Sequence, residues 1–148
     1  MHRVRRLLSL SLPLLALACG GASAPTAPDA VQVQPPVANG GLTGPAVSGR
    51  LVKTGYNVTG TATLRIENGI GQLDLSSDYS LVQTPGPFLY LNTTNNPNTG
   101  SPLRVAAVKD KSGAQRFTFS VPAGVTYSWV IIWCDPFNVA MAEARLAP

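Results

Sequence analysis

The clearest pattern in the chain is a strict alternation of polar and apolar residues near its middle. Every second side chain is apolar in Thr61–Glu67, and the alternation returns in residues 72–75. Asn68-Gly69 lies between the two runs, and this dipeptide in such a setting is the strongest short-range signal for a β-hairpin. The segment therefore predicts two antiparallel strands joined at Asn68-Gly69, with Gly71 marking a bulge.

Further apolar or alternating runs, each bounded by Gly, Pro, Asp or Ser, predict more strands. They are residues 88–91, 103–108, 116–121, 125–134 and 137–146. None shows a convincing 3.6-residue spacing of an amphipathic helix. We therefore predict an all-β fold, an antiparallel β-sandwich or partly closed barrel of about seven to nine strands.

The run 127–134 differs from the others because both of its faces are apolar. One face carries Tyr127, Trp129, Ile131 and Trp133, and the other carries Ser128, Val130, Ile132 and Cys134. A strand with two apolar faces is covered on both sides, so we predict that it is central in its sheet. Core packing of the two tryptophans is favoured over stacking on a cofactor or a sugar.

The N-terminal end has the layout of an export signal. Arg3, Arg5 and Arg6 precede an uncharged, largely apolar run over residues 7–18. Twelve residues reach about 18 Å as a helix, which is short of the ~30 Å hydrocarbon core of a bilayer. Residues 1–18 are therefore predicted to be a signal peptide and not a transmembrane anchor.

The end of this run resembles the lipobox of bacterial lipoproteins. Its sequence is Leu15-Ala16-Leu17-Ala18-Cys19-Gly20, in which Ala16 stands where Leu is usual. We expect Cys19 to carry lipid that holds the protein on the membrane of the cell envelope, outside the cytoplasm. Gly20, which is not the Asp that retains lipoproteins on the inner membrane, favours the outer membrane. The alternative is an ordinary secretory cleavage after Ala18.

Residues 19–47 read as a linker and residues 48–148 as the folded domain. Residues 20–45 contain five prolines, five glycines and a single charge, Asp29. The first aromatic residue after the start of the chain is Tyr56. Without large apolar side chains the linker cannot offset its ordering entropy, so we expect it to be disordered.

The charge of the chain argues against nucleic acid as a partner. The formal net charge is +4, and charged residues make up 12%. Three of the eleven basic residues lie in the predicted signal peptide, which leaves eight against seven acidic residues. The remaining basic residues are scattered and form no stripe that could follow a phosphate backbone.

The distribution of histidine and acidic residues excludes several kinds of catalysis. His2, in the signal peptide, is the only histidine, so we expect no Ser-His-Asp or Cys-His catalysis and no His-ligated metal or haem in the mature chain. The carboxylates show no arrangement typical of a glycosidase pair, and we expect no metal site. The carboxylates of the predicted domain are Glu67, Asp74, Asp78, Asp110, Asp135 and Glu143. The sequence favours a redox carrier or a binding module over an enzyme.

Cys134 is the one residue whose chemistry stands out. If Cys19 carries lipid, Cys134 has no partner within the chain, and an unpaired thiol outside the cytoplasm needs an explanation. The residues alone leave three interpretations open: a buried structural residue, a redox or ligand-binding thiol, or an intermolecular disulfide. Asp135 next to it favours the structural interpretation, because a neighbouring negative charge disfavours the thiolate.

A set of short motifs runs through the predicted domain. They are Thr59-Gly60-Thr61-Ala62, Pro85-Gly86-Pro87-Phe88-Leu89-Tyr90-Leu91, residues 113–122, Val130-Ile131-Ile132-Trp133-Cys134, Phe137-Asn138-Val139 and Ala144-Arg145-Leu146. Together they resemble the DM-thirteen domain, the electron-transfer DM-thirteen family, over about residues 48–146. The chain departs from the family pattern at Phe88, where Asp is usual, at Met141, where an aromatic residue is usual, and near Tyr56, where a histidine is absent.

The resemblance implies an all-β module that transfers electrons outside the cytoplasm through Cys134, as a bare thiol or through a prosthetic group, with a redox partner protein in the envelope. Around Cys134 the candidate neighbours are Trp133, Phe137 and Met141. A haem could use only the Cys134 thiolate with Met141. The alternative function is a structural or binding β-sandwich in which Cys134 belongs to the core.

Overall fold

The computed structural model of the chain describes residues 27–30 and 41–148. The predicted signal peptide 1–18, Cys19 and most of the predicted linker lie outside the described residues. Within the described part, no helix is long and apolar enough to cross a membrane.

The described residues form an all-β fold, which confirms the predicted fold class. Its elements are β1 (Ala46–Arg50), β2 (Val52–Lys53), β3 (Val58–Thr59), β4 (Thr61–Glu67), β5 (Ile70–Leu75), β6 (Ser80–Leu81), β7 (Pro87–Asn92), β8 (Leu103–Ala107), β9 (Gln115–Ser120), β10 (Trp129–Cys134), a 3-10 helix (Asp135–Phe137) and β11 (Val139–Arg145). Eight of these eleven strands have five or more residues, and three have two.

Two antiparallel sheets enclose the main core. The five-stranded sheet has the order β2-β11-β10-β7-β8, and the four-stranded sheet has the order β1-β4-β5-β9. Strands β3 and β6 form a separate two-stranded sheet. Buried side chains from both larger sheets, such as Leu73, Phe119, Leu89 and Ile132, belong to one hydrophobic cluster. The arrangement is a sandwich of open sheets and not a closed barrel.

The predicted hairpin is confirmed by strands β4 and β5. Asn68 and Gly69 both have positive φ, 52° and 76°, as a type I′ turn requires. The predicted bulge at Gly71 is wrong, because Gly71 pairs in regular register with Ile66 and with Phe119. A Cβ at this position would lie 2.6 Å from the Phe119 ring. Close packing between strand and ring explains the glycine instead.

Strand β10 is central, as predicted, but shorter. It begins at Trp129 and lies between β7 and β11. One face joins the main core, and the other, with Ile131 and Trp133, forms a second buried cluster with Tyr90. The alternation does not extend back to Tyr127, which belongs to the main core instead, because residues 125–128 do not form a strand.

The last strand begins later than predicted. A 3-10 helix occupies Asp135–Phe137, and Asn138, with φ 50°, ends it before β11. Trp133 pairs with Ala140 and Ile132 pairs with Ala142, so Met141 is the extra residue of a β-bulge. Phe137, Val139 and Met141 alternate in the sequence but do not share a face. The first two are 62% and 38% exposed, whereas Met141 is 0% exposed.

Part of the predicted linker is ordered, contrary to the expectation of disorder. The backbone of residues 28–30 forms a parallel bridge with Arg104 of the edge strand β8. Farther along, the Leu42 amide donates to the side chain of Gln72 at 2.9 Å. Backbone hydrogen bonds and contact with the sheets, which composition does not show, supply the ordering energy in these places.

Candidate functional site

Cys134 lies at the end of the central strand β10, and its side chain belongs to the main core. The residue is 1% exposed and is a free cysteine. Its thiol donates a hydrogen bond to the carbonyl oxygen of Pro85 at a distance of 3.0 Å. The thiol is therefore both buried and satisfied by a partner from another part of the chain.

The segment that covers the thiol is Pro85-Gly86, which precedes strand β7. Gly86 accepts a hydrogen bond from the Asp135 amide at 3.3 Å. Its φ is +57°, and a Cβ there would lie 2.6 Å from Cδ of Pro136. Pro85 itself is exposed. We call this segment, Pro85-Gly86, the cover, because its Pro85 carbonyl accepts the hydrogen bond of the buried thiol.

Met141 contributes a second sulfur to the main core. It is fully buried in the main core, and its sulfur lies 4.0 Å from Oγ1 of Thr84, the residue before the cover. Its carbonyl oxygen accepts the amides of Thr54, Gly55 and Tyr56 at 3.0–3.3 Å. Met141 is thus the only one of the three predicted neighbours that shares the core face of Cys134.

The other two predicted neighbours lie elsewhere. Trp133 points to the opposite face of the sheet, where it packs with Tyr90 and donates from Nε1 to Asn138 at 3.2 Å. Phe137 is exposed on the 3-10 helix. Neither side chain lies on the core face that holds the thiol. Trp133 is 7% exposed, in agreement with the prediction that it packs in the core.

The surroundings of the two sulfurs do not fit a haem. Both Cys134 and Met141 are enclosed in the main core, and the thiol is occupied by the Pro85 carbonyl. A surface cavity of about 580 Å³ lies away from both sulfurs. Its lining residues are Ala106, Ala107, Lys109, Asp110, Ala114, Gln115, Arg116 and Phe117. A macrocycle would have to displace packed core residues to reach either sulfur.

A polar network that the sequence did not reveal lies on the other side of the sheet, beside Asp135. The Tyr90 hydroxyl donates to this carboxylate at 2.7 Å, and Nε of Arg104 donates to it at 2.7 Å. Arg104 also donates to Asp29 at 2.8 Å, and its guanidinium lies 3.4 Å from the centre of the Phe88 ring. The partners are 31 and 45 residues away from Asp135 in sequence, so no local pattern could indicate them.

In this network one guanidinium, that of Arg104, pairs with two carboxylates, those of Asp29 and Asp135. Burial raises the pKa of Tyr90, and the hydrogen bond to the Asp135 carboxylate raises it further. Burial alone would lower the pKa of Arg104, but its bonds to Asp29 and Asp135 raise it above its ordinary value. Arg104 pairs with the carboxylate of Asp135, the residue next to Cys134, at 2.7 Å.

Three other acidic residues, Asp74, Asp78 and Glu143, accept hydrogen bonds within the domain. Asp74 pairs with Arg116 at 2.7 Å and accepts a hydrogen bond from Gln72 at 2.7 Å. The carboxylate of Asp78 accepts from Ser76, and that of Glu143 accepts from Asn95. Among residues 27–30 and 41–148, no group of three or more metal-binding side chains comes together.

The loop after β7 is built around Asn92, which is fully buried. Its amide nitrogen donates to Thr94 Oγ1, to the Asn96 carbonyl and to the Thr99 carbonyl at 2.7–3.1 Å. Its side-chain oxygen accepts the amide of Thr93 at 2.8 Å. These bonds give the first asparagine of this loop a structural role.

Comparison with known proteins identifies a family for nearly the whole domain. The family model described as Electron transfer DM13 matches residues 50–146, from the last residue of β1 to the residue after β11. The match includes Cys134, the cover and the Asp135 network apart from Asp29. Comparison with curated proteins and with solved structures found no match. On the family match, which spans more than half of its length, the chain belongs to the Electron transfer DM13 family.

Proposed function

We propose that this chain is a lipid-anchored, extracytoplasmic electron-transfer protein in which the thiol of Cys134 is the redox group. In this proposal Cys19 carries the lipid, the anchor holds the β domain at the cell envelope, with the outer membrane favoured, and the partner is a redox protein of the envelope. Family membership supports the electron-transfer part. The signal-like N-terminus and the lipobox-like Leu15–Cys19 stretch support the anchor.

The observation that carries the proposal is the way in which Cys134 is covered. The thiol is the only cysteine among residues 27–30 and 41–148, and its sulfur reaches an exposed segment of chain through the Pro85 carbonyl. Displacement of the cover alone would expose it. Loops open locally at a much lower free-energy cost than whole domains unfold, so the thiol can react without loss of the fold.

The chemistry that suits a lone thiol is thiol–disulfide exchange with partner proteins. Cys134 loses its proton to solvent, and the thiolate attacks a disulfide of one partner. A mixed disulfide forms, and the other sulfur of that partner leaves as a thiolate and takes up a proton. A thiolate of a dithiol on a second partner then attacks the Cys134 sulfur, so the first partner leaves with both of its sulfurs as thiols and a new mixed disulfide forms. The other thiolate of the second partner attacks its own disulfide-bonded sulfur, which releases Cys134 as a thiol and leaves the second partner as a disulfide. Two electrons and two protons have then passed from the dithiol to the disulfide.

A second candidate function is supported by the same contacts. The thiol is 1% exposed and already has a hydrogen-bond acceptor, which is typical of an inert core cysteine. In that case the chain is a structural or binding β-sandwich on a tether. Replacement of Cys134 by Ser would then cost about 1 kcal/mol or more of stability and change nothing else.

Reaction of the native protein with a small disulfide separates the two functions. The lipid-free chain is incubated with oxidised glutathione, and the mixed disulfide at Cys134 is followed by mass spectrometry. The redox function predicts a reaction faster than global unfolding, measured in parallel by circular dichroism, and reversal by a dithiol. A reaction limited by the rate of global unfolding would establish the structural function. The Cys134→Ser variant reports any reaction at another group.

The anchor is tested separately. Cells that express the full chain are labelled with a radioactive fatty acid, and the envelope fraction is examined for the labelled protein. We expect label in the natural chain and none in Cys19→Ala, with Cys134→Ala still labelled. An unlabelled natural chain that is nevertheless exported would replace lipidation by ordinary secretory cleavage.

A further inference from the structure

The predicted linker makes a specific attachment to the β domain before strand β1 begins. The Arg104 amide donates to the Pro28 carbonyl at 2.9 Å, and the Ala30 amide donates to the Arg104 carbonyl at 2.7 Å. Both bonds flank Asp29 and form one parallel bridge on the edge strand β8. The pairing is of the kind by which an extended peptide adds to a sheet edge.

Side chains strengthen this attachment on both faces of the sheet. Asp29 accepts a hydrogen bond from Nη1 of Arg104 at 2.8 Å. Ala30 is 9% exposed and belongs to the main core cluster, whereas Ala27 packs against the cluster of Tyr90 and Trp133 on the outer face of the five-stranded sheet. We call these four residues, Ala27–Ala30, the clasp.

The clasp lies close in sequence to the predicted lipid attachment site. Eight residue steps separate Cys19 from Ala27, whereas 27 steps separate Cys19 from Ala46, where β1 begins. A fully extended chain spans about 3.3–3.6 Å per residue. With the clasp docked, the lipid can therefore lie at most about 29 Å from Ala27, against about 97 Å from Ala46 with the whole linker free.

We propose that the clasp holds the β domain close to the membrane surface, with the outer face of the five-stranded sheet at the anchored end. The proposal rests on lipid attachment at Cys19, which belongs to the proposed function. The docking of the clasp itself does not depend on lipid, because every contact that makes it lies within the protein.

Hydrogen exchange tests the docking. In the lipid-free chain we expect the Ala30 amide to exchange at least about tenfold more slowly than in an unstructured peptide. Replacement of Asp29 by Asn removes the exposed ion pair and should lower this protection about two- to fivefold. Asp110→Asn makes the same change of charge at an exposed aspartate outside these contacts and should leave it unchanged. Exchange at the unstructured rate in the natural chain would overturn the clasp.

Energy transfer tests the placement at the membrane. The full lipoprotein is inserted into phosphatidylethanolamine and phosphatidylglycerol vesicles that carry a headgroup fluorophore, which accepts emission from the only two tryptophans, Trp129 and Trp133. Ala30→Pro removes the amide donor of the bridge and should reduce the transfer, whereas Ala22→Pro, outside the clasp, should not. Equal transfer in the natural chain and Ala30→Pro would overturn the placement. If fatty acid does not label Cys19 but Ala30 is protected, the lipid anchor fails and the clasp stands.

Discussion

The thiol of Cys134 donates its hydrogen bond to the carbonyl oxygen of Pro85, 49 residues away in sequence, at a distance of 3.0 Å. The contact joins the end of the central strand to an exposed segment of chain. In the proposed redox function, access to the thiol therefore depends on movement of that segment. A substitution at the next residue, Gly86, is the most direct way to move this segment.

Replacement of Gly86 by Ala should unmask the thiol. The new Cβ would lie 2.6 Å from Cδ of Pro136, and the backbone already has a positive φ of 57°. Because the Pro136 ring is anchored in the 3-10 helix, the cover must move away. We expect the rate of Cys134 alkylation in the native protein to rise at least about tenfold, which corresponds to a change of about 1.4 kcal/mol in the opening free energy.

Gly124→Ala is the matched control for this experiment. Gly124 also has a positive φ, 78°, but nothing lies within 4 Å of a Cβ at that position. Both variants carry the backbone cost of Ala at positive φ, about 1 kcal/mol, but only Gly86→Ala carries the clash. Equal alkylation rates in the two variants would show that the cover does not control access to the thiol.

Replacement of Arg104 by Met should destabilise the domain by about 1–3 kcal/mol in urea denaturation. Arg104 donates to both Asp29 and Asp135, and Asp135 would then keep a partly buried negative charge without its cation. Arg50→Met, on the exposed end of β1, serves as the control for loss of a positive charge. If Arg104→Met has the same free energy of unfolding as the natural chain, the network contributes nothing measurable to stability.

Two buried tyrosines should respond to loss of their hydroxyl groups in opposite ways. The hydroxyl of Tyr79 has no hydrogen-bond partner within the described part of the chain, whereas that of Tyr90 donates to Asp135. Tyr79→Phe should therefore raise the free energy of unfolding by about 1 kcal/mol, and Tyr90→Phe should lower it by about 1–2 kcal/mol. Thermal and urea unfolding measure both. A loss of stability in Tyr79→Phe would reveal a partner for its hydroxyl.

Tyr79 also contributes to the loss of stability of the domain at high pH. Burial raises the pKa of Tyr79 from 10.0 to about 12. The unfolded chain therefore loses this proton at a lower pH than the folded chain, so the contribution of Tyr79 is complete below pH 10 and is lost as the pH rises towards 12. Tyr79→Phe should flatten the fall of stability in this range. Part of the fall should remain, because burial also raises the pKa of Tyr127.

The features that the sequence predicts correctly are those fixed by neighbours in the chain. Asn68-Gly69 sets its own turn, and the two apolar faces of β10 require cover on both sides wherever the strand lies. The bulge at Met141 could not be predicted, because it depends on the register between β10 and β11 and not on the alternation within either strand. Nothing in the local sequence distinguishes Met141 from its neighbours in this respect.

The candidate site shows the same division. Cys134 is conspicuous from composition alone, and Pro85-Gly86 is recognisable as a turn. The hydrogen bond between the Cys134 thiol and Pro85 of this turn joins residues that are 49 positions apart in the sequence. The ion pair between Asp29 and Arg104 joins residues that are 75 positions apart. Such contacts follow from the order of strands in the sheets. The residues around Asp29 in the linker do not indicate which residue it pairs with.

Replacement of Asn92 by Asp should disrupt the loop that follows β7. The buried amide group of Asn92 donates to three oxygens, on Thr94, Asn96 and Thr99. An ionised carboxylate there would face these oxygens without a hydrogen to donate, so we expect a loss of about 2–3 kcal/mol in urea denaturation at pH 7. Asn96→Asp is the control, because the Asn96 side chain accepts the Asn98 amide and an aspartate can do the same. Burial favours the neutral acid, which can donate a hydrogen to one of these oxygens, so part of the loss in Asn92→Asp should be recovered as the pH falls towards 4. Equal stabilities of the two variants at pH 7 would show that the donor role of Asn92 does not hold the loop.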